Sequence, residues 1–214
     1  MSPQRPAGVI LAGGKSSRMG VARKALIEFD GQPLLSRVTD RLKAQLDPLM
    51  LSCESENSDF DGFGLAVVPD LLPGYRGPLT GLCSALQYLD DIGHGNGLVL
   101  CPCDAPFVPR DLVQMMLEAG QGEKKPEGEK KPVVVISYQG VLQPTFSMWQ
   151  SHHLPVIREA LFNKSMGGLK RVLTSLPYIV VEWADAEPPP FFNVNTPADL
   201  ALAERMLDPG KPTD

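Results

Sequence analysis

The densest chemistry in the sequence lies in Leu11-Ala12-Gly13-Gly14-Lys15-Ser16-Ser17-Arg18-Met19-Gly20, followed closely by Lys24. Adjacent glycines behind an apolar run let backbone N–H groups converge on an anion. Arg18 and Lys24 add fixed positive charge to the same loop, a combination suited to a triphosphate. The spacing is neither that of a Walker-A loop nor the dinucleotide-binding Gly-x-Gly-x-x-Gly. Taken alone, it describes equally well a Gly-rich turn with solvated basic side chains.

Three further constellations share its character. Val99-Leu100-Cys101-Pro102-Cys103-Asp104-Ala105-Pro106 places a carboxylate at the end of an apolar strand. Mg²⁺ favours one or two carboxylates together with phosphate oxygens, so Asp104 is a candidate metal ligand. The plainer role for Asp104 is to cap the turn before Pro109. Asp70, at the end of another apolar run, carries the same two readings. Gly74-Tyr75-Arg76-Gly77-Pro78-Leu79-Thr80-Gly81 joins glycines to a helix start, a geometry that admits an anion or a close approach. In Asn193-Val194-Asn195-Thr196-Pro197 the two amides point to one side of an extended segment. They suit a polar ligand or a metal-bound phosphate, although Asn195 alone could simply prepare a helix beginning at Thr196.

Elements that would position these groups are legible in the apolar pattern. Ala7-Gly8-Val9-Ile10-Leu11-Ala12 is a continuous apolar run, as expected of a strand covered on both faces. Further strands are predicted at 49–51, 65–68, 97–101, 133–137, 143–149 and 178–182. A helix opens at Pro33, with Leu34, Leu35, Val38 and Leu42 on one side, and runs to about Leu46. Others start at Pro78 and Pro109, near 153 and 168, and at Pro197 behind the N-cap Thr196. Alternating strands and helices at this spacing predict one α/β domain over residues 1–214. Its sheet would be Rossmann-like, doubly wound and mostly parallel, with helices on both faces. Ligands then sit at the carboxyl ends of the strands, so loops 13–24, 69–81 and 102–107 would share one edge. Gly-Glu-Lys-Lys-Pro occurs at 122–126 and again at 128–132, which marks 120–132 as a charged flexible insertion. Residues 1–6 and 208–214 read as flexible ends.

Composition narrows the partners. The 214 residues carry 20 Lys and Arg against 25 Asp and Glu, a net charge of −5, which disfavours a general nucleic-acid binder. With 20 glycines and 21 prolines, the chain stays short of the roughly 25–30% that marks low complexity, yet it must hold many structured loops. No run approaches the roughly 20 apolar residues of a membrane span. The first residues do not resemble a signal peptide. Cys53, Cys83, Cys101 and Cys103 do not make a disulfide framework, and Cys101 and Cys103, two apart in an apolar run, are read as buried reduced thiols rather than a metal pair. The chain therefore reads as cytoplasmic. His94, His152 and His153 are read as exposed polar residues.

Taken in order, the Leu-Ala-Gly-Gly-x-Ser-Ser-Arg-Met-Gly loop, Lys24, Gly77-Pro78-Leu79-x-Gly81, Cys103-Asp104-x-Pro106 and Phe192-Asn193-Val194-Asn195-Thr196-Pro197 form a recognisable set. The chain resembles the molybdenum cofactor guanylyltransferases, the MobA family of nucleotidyltransferases, from about Val9 to Leu202. The resemblance implies a nucleotide-diphospho-sugar transferase-like fold. It also implies transfer of GMP from Mg²⁺-GTP to the phosphate of molybdenum-loaded molybdopterin, with release of pyrophosphate. By similarity, Leu11, Ala12, Gly13 and Gly14 would meet the nucleotide, together with Asp70, Gly77 and Gly81. Arg18, Lys24 and Asp104 would be catalytic, with Asp104 holding Mg²⁺. Arg18, Arg171, Asn193 and Asn195 would face the pterin. Transient contact with the molybdenum insertion protein and with molybdoenzyme chaperones would follow. Two positions depart from the family pattern: Arg23 stands where an Asp usually precedes the loop lysine, adding charge at the triphosphate. Glu54 stands where an Asn commonly contacts the nucleoside, and a carboxylate cannot donate as an amide does. The rival functions are a cytidylyltransferase acting on the same pterin, a sugar-phosphate nucleotidyltransferase, and a non-catalytic nucleotide-binding module.

Overall fold

Ile10, Leu51, Val99 and Ile136 enter one apolar layer, while their neighbours Val9, Met50, Leu100 and Val135 enter another. This is the period-2 alternation of strands buried on both faces, and it explains why the strand sequences read as unbroken apolar runs. The computed structural model describes residues 5–13, 23–54, 58–72, 77–122, 130–163 and 168–208. Seven strands form its main sheet: β1 (Ala7–Leu11), β4 (Leu49–Cys53), β5 (Ala66–Pro69), β6 (Leu98–Pro102), β7 (Val133–Tyr138), β8 (Val141–Trp149) and β9 (Tyr178–Trp183). Their spatial order is β5-β4-β1-β6-β8-β7-β9. Only β8 runs antiparallel to its neighbours, β6 and β7. A ribbon of two short strands, β2 (Glu28–Phe29) and β3 (Gln32–Pro33), stands apart.

Helices α1 (Leu34–Leu42) and α3 (Leu112–Gly122) cover one face of the sheet, with Leu35, Val38, Leu42, Leu112 and Met116 buried there. The other face is covered by α2 (Pro78–Asp91), α4 (Leu154–Arg158) and α5 (Leu169–Thr174). A smaller cluster of Phe29, Leu34, Phe107, Val194 and Ala203 seats the last helix, α6 (Pro197–Leu207). The mostly parallel, doubly wound arrangement expected from the sequence is the one observed. Among the described residues no helix is long and apolar enough to cross a membrane. The four cysteines carry no disulfide and are buried.

Local differences have identifiable causes. The first helix stops at Leu42 rather than near Leu46, where the chain passes into a turn over residues 43–45, and Pro48 bars any helix from continuing through Asp47. Leu46 nevertheless stays buried. Helix α3 runs to Gly122 and so takes in the first residues expected to be insertion. Residues 123–129, with the terminal segments 1–4 and 209–214, lie outside the described residues. His153 was expected to be exposed and is instead buried. Its ring meets Trp149 edge-on at 5.7 Å, and its Nδ1 accepts a hydrogen bond from the Gln150 N–H at 3.0 Å.

Candidate active site

From β1 the chain moves outward to β4 and β5, then returns to β6 on the other side of β1. The strand order therefore reverses between β1 and β6, and doubly wound sheets bind ligands in the crevice outside the carboxyl ends of such a pair. Leu11 pairs with Pro102 across these strands, and Cys103 N–H donates to the Leu11 carbonyl at 3.2 Å. That register carries Asp104 just past the carboxyl end of β6, at the crevice.

Lys24 meets Asp104 there. It begins a short 3₁₀ turn, Lys24–Leu26, whose Ala25 is buried in the core. Its ammonium donates to the Asp104 carboxylate and, at 2.6 Å, to Oδ1 of Asn195. The Lys24 and Asp104 side chains are only 15% and 13% exposed, so solvent screens the pair weakly. The Asp104 carbonyl accepts from Val194 N–H at 2.9 Å, which ties the asparagine segment to the Asp104 loop through the backbone. Sequence positions 24, 104 and 195 thus meet at one point.

Asn195 is held from below by α6. Asp199 Oδ2 accepts from the Asn195 and Thr196 N–H groups at 2.9 and 2.8 Å, while Asp199 N–H donates to Thr196 Oγ1 at 3.2 Å. This is a capping box, with Thr196 as the predicted N-cap. Desolvation pushes the Asp199 carboxyl upward, but the hydrogen bonds from Asn195 and Thr196 outweigh it and hold the carboxyl below its ordinary range. Asn193 donates through Nδ2 to the Phe191 carbonyl at 3.4 Å, and Phe191 packs against Tyr138, Phe146 and Trp183. Oδ1 of Asn193 is buried without a hydrogen-bond partner.

The Asp104 carboxylate, and the orphaned amide oxygen of Asn193 on the segment tied to the Asp104 loop through Val194, make a sparse set of hard donors. Among the described residues no group of three or more His, Cys, Asp or Glu forms a metal cage. A sparse oxygen set fits a divalent cation that brings phosphate oxygens and waters as its remaining ligands, which is how Mg²⁺ is commonly bound.

The second half of the site lies at the ends of β4 and β5. Ser52, on β4, donates through Oγ to Asp70 Oδ1 at 2.7 Å, and Asp70 N–H donates to the Cys53 carbonyl at 2.9 Å. Burial raises the Asp70 carboxyl above its ordinary range, the Ser52 hydrogen bond opposes this, and the Glu54 charge adds to it. Gly77 caps α2 with φ of +84°, a conformation that glycine adopts freely. A Cβ on Gly81 would lie 2.5 Å from Leu11 Cδ2 and 2.6 Å from Ser52 Oγ, so only glycine lets α2 approach β1 and β4 this closely.

The predicted residues separate into three groups. Lys24, Asp104 and Asn195 meet directly, with Asn193 beside Asn195 on the same segment, while Leu11, Asp70 and Gly81 share contacts through Ser52. Arg171 is exposed on α5, and no hydrogen bond among the described residues links it to the Lys24 cluster. Gly14 and Arg18 lie outside the described residues. Arg23, which precedes Lys24 with an extended backbone, has an anionic partner of its own. Its guanidinium pairs with Asp59 at 2.8 Å and lies over the Phe60 ring at 5.4 Å. Sequence reasoning missed Ser52 and Asp199 as supports. The Thr-x-x-Asp spacing of a capping box signals Asp199, whereas nothing local marks Ser52.

Comparison with known proteins agrees with this geometry. A molybdenum cofactor guanylyltransferase of Rhodopseudomonas palustris (strain BisB5) is 35% identical over 207 residues, covering 95% of this chain and 94% of its own. One of Nitrobacter hamburgensis is 36% identical over 206 residues, covering 95% and 96%. Among solved structures, the molybdopterin-guanine dinucleotide biosynthesis protein A of Archaeoglobus fulgidus has the same fold, with a TM-score of 0.76 at 19% identity, covering 95% of this chain and 99% of that one. Residues 8–179, spanning both β1 and the Asp104 loop, match the MobA-like NTP transferase domain. With the crevice, its lysine and its carboxylate in place, the chain belongs to the MobA-like family of nucleotidyltransferases.

Proposed function

We propose that the chain transfers GMP from Mg²⁺-GTP to the terminal phosphate of molybdenum-loaded molybdopterin, forming the guanine dinucleotide and releasing pyrophosphate. An oxygen of the pterin phosphate forms a bond to the α-phosphorus of GTP, and the bond from that phosphorus to the bridging oxygen of pyrophosphate breaks. The observation that carries this reading is the convergence of Lys24, Asp104 and Asn195 at the crevice between β1 and β6. Transfer of this kind depends on positioning and charge neutralisation rather than on covalent chemistry by the protein. Lys24 supplies a fixed positive charge that is only slightly exposed, placed to neutralise the transferred phosphate. Asp104, with Asn193 Oδ1 as a second hard oxygen, would hold Mg²⁺. When bound, that ion neutralises phosphate charge and favours departure of pyrophosphate. Asp70, with one carboxylate oxygen committed to Ser52, offers the other to the nucleoside. Asn193, Asn195 and the exposed Arg171 serve the pterin side.

The names carried by the relatives in Rhodopseudomonas and Nitrobacter support guanine as the base. Purified protein given molybdopterin, molybdate, Mg²⁺ and either GTP or CTP is expected to release pyrophosphate with GTP only. Preference for CTP would replace the guanylyl assignment with a cytidylyl one, and binding without turnover would make the chain a nucleotide-binding module.

A further inference from the structure

We infer that Ser52 is a positioning residue for nucleotide recognition: it fixes the Asp70 carboxylate and the depth of the nucleoside pocket, acting through Asp70 rather than touching the ligand. This role rests on the nucleotidyl-transfer function proposed above.

Three contacts converge on Ser52, which is only 2% exposed. Its Oγ donates its single proton to Asp70 Oδ1 at 2.7 Å. A hydroxyl has one donor, so this commits one carboxylate oxygen, and no hydrogen bond among the described residues engages Oδ2, the acceptor that would face a ligand. Its backbone carbonyl accepts from Ala12 N–H at 2.8 Å, which extends the β1–β4 ladder to the residue where the glycine loop departs. Its Oγ and Cβ abut Gly81, where an added Cβ would lie 2.6 and 3.2 Å from them. One small buried side chain therefore sets the relation between the Leu11–Gly13 edge, the Asp70 carboxylate and the first turns of α2. Asp70 needs such a support. It is partly desolvated, and Glu54, two residues from Ser52 along the chain, adds a like charge. A carboxylate in that position turns toward whichever donor holds it, and Ser52 Oγ donates to it. Alanine at position 52 would free the carboxylate to rotate and would leave a gap under α2. Cysteine would keep the shape with a weaker donor.

The test compares GTP binding by titration calorimetry, and steady-state transfer, for the wild type, Ser52→Ala, Ser52→Cys, Asp70→Ala and the double variant. Ser52→Ala is expected to weaken GTP binding about 10-fold, the scale of one hydrogen bond to a charged group, with Ser52→Cys intermediate. The KM for the pterin substrate should stay unchanged. On the Asp70→Ala background, removal of the Ser52 hydroxyl should cost nothing further. The Ser52 bond also lowers the Asp70 pKa, so its removal should move the acid limb of the GTP kcat/KM profile to higher pH. A merely structural serine would produce neither the masking by Asp70→Ala nor the shift of the limb. Should Ser52→Ala prove unfolded, Ser52→Cys carries the same comparison. An active wild type with additive losses at positions 52 and 70, or with an unmoved acid limb, overturns the role of Ser52 alone. A wild type that neither binds nor turns over GTP overturns the guanylyl function and this role together.

Discussion

The ammonium of Lys24 bonds Asp104, 80 positions away in sequence, and Asn195, 171 positions away. This one side chain connects the loop after β1, the end of β6 and the segment before α6, three parts of the chain that the sheet topology alone brings to a common edge. The pair is nearly buried, so each charge depends on the other to stay solvated.

Asp104→Asn separates the structural and chemical parts of that arrangement. The amide retains an oxygen that can accept from Lys24 but leaves the nearly buried ammonium without its counter-charge, so the fold should persist with a melting temperature lowered by an equivalent of about 3 kcal/mol. The negative charge needed to hold a divalent cation is lost, and transfer should fall by about 10³-fold or more. Parallel thermal melts and pyrophosphate-release assays decide the matter. Near-normal turnover by the variant would remove Asp104 from the metal site.

Asp199 extends the same chain of support to α6. Its carboxylate caps two N–H groups, one of them that of Asn195, and loss of such a cap costs about 1 kcal/mol. Asp199→Ala should therefore lower stability modestly. Because the released segment carries the amide that holds Lys24, kcat should fall about 10-fold, with a much smaller change in the KM for GTP. Lower stability with an unchanged kcat would show that Asp199 serves the helix only.

Gly81→Ala tests the close approach of α2 to β1. Alanine favours a helix interior over glycine by about 1 kcal/mol, so a spacious site would be stabilised. Here the new Cβ would meet Leu11 Cδ2 and Ser52 Oγ inside 3 Å. The Leu11 methyl can swing aside, whereas the short Ser52 side chain cannot leave without losing its bond to Asp70. Overpacking of this type costs about 1–3 kcal/mol. The variant should be less stable in urea and should bind GTP more weakly. A gain in stability with unchanged GTP binding would show that the helix relaxes freely.

What the sequence disclosed follows from how local its signals are. Val9, Ile10 and Leu11 announced a strand buried on both faces, and Thr196 announced a helix start, because period and capping act over a few residues. The Asp30-Gly31 turn, with φ of +52° and +74°, carried an Asp-Gly hairpin signal for the ribbon of β2 and β3 that the apolar pattern had no means to reveal. Lys24 and Asp104 were legible as chemistry, but their contact depends on a crossover from one side of β1 to the other. Ser52 was invisible: a lone serine in a strand gains its meaning only from Asp70 and Gly81, which the fold delivers. The partner of Arg23, Asp59, was likewise invisible, because residue type alone does not name the carboxylate that the fold delivers.

His153 was misjudged for a related reason, and its burial has a measurable consequence. Burial, the neighbouring charge of His152 and that of Lys130 push its pKa down from an ordinary 6.5 to about 4, although the Lys131 backbone contact favours the charged form. In the unfolded chain the ring takes up a proton near its ordinary value, while the folded chain resists until about 4. Stability from this group is therefore complete above pH 6.5 and is lost progressively as the pH falls from about 6.5 to 4. The loss should be on the order of 2–3 kcal/mol. His153→Asn keeps an acceptor for the Gln150 N–H and cannot titrate, so it should flatten this part of the pH dependence while starting from a somewhat lower stability at pH 7. Urea unfolding curves for both proteins at intervals between pH 7 and 4 provide the measurement. Parallel slopes for wild type and variant would assign the acid sensitivity to other groups.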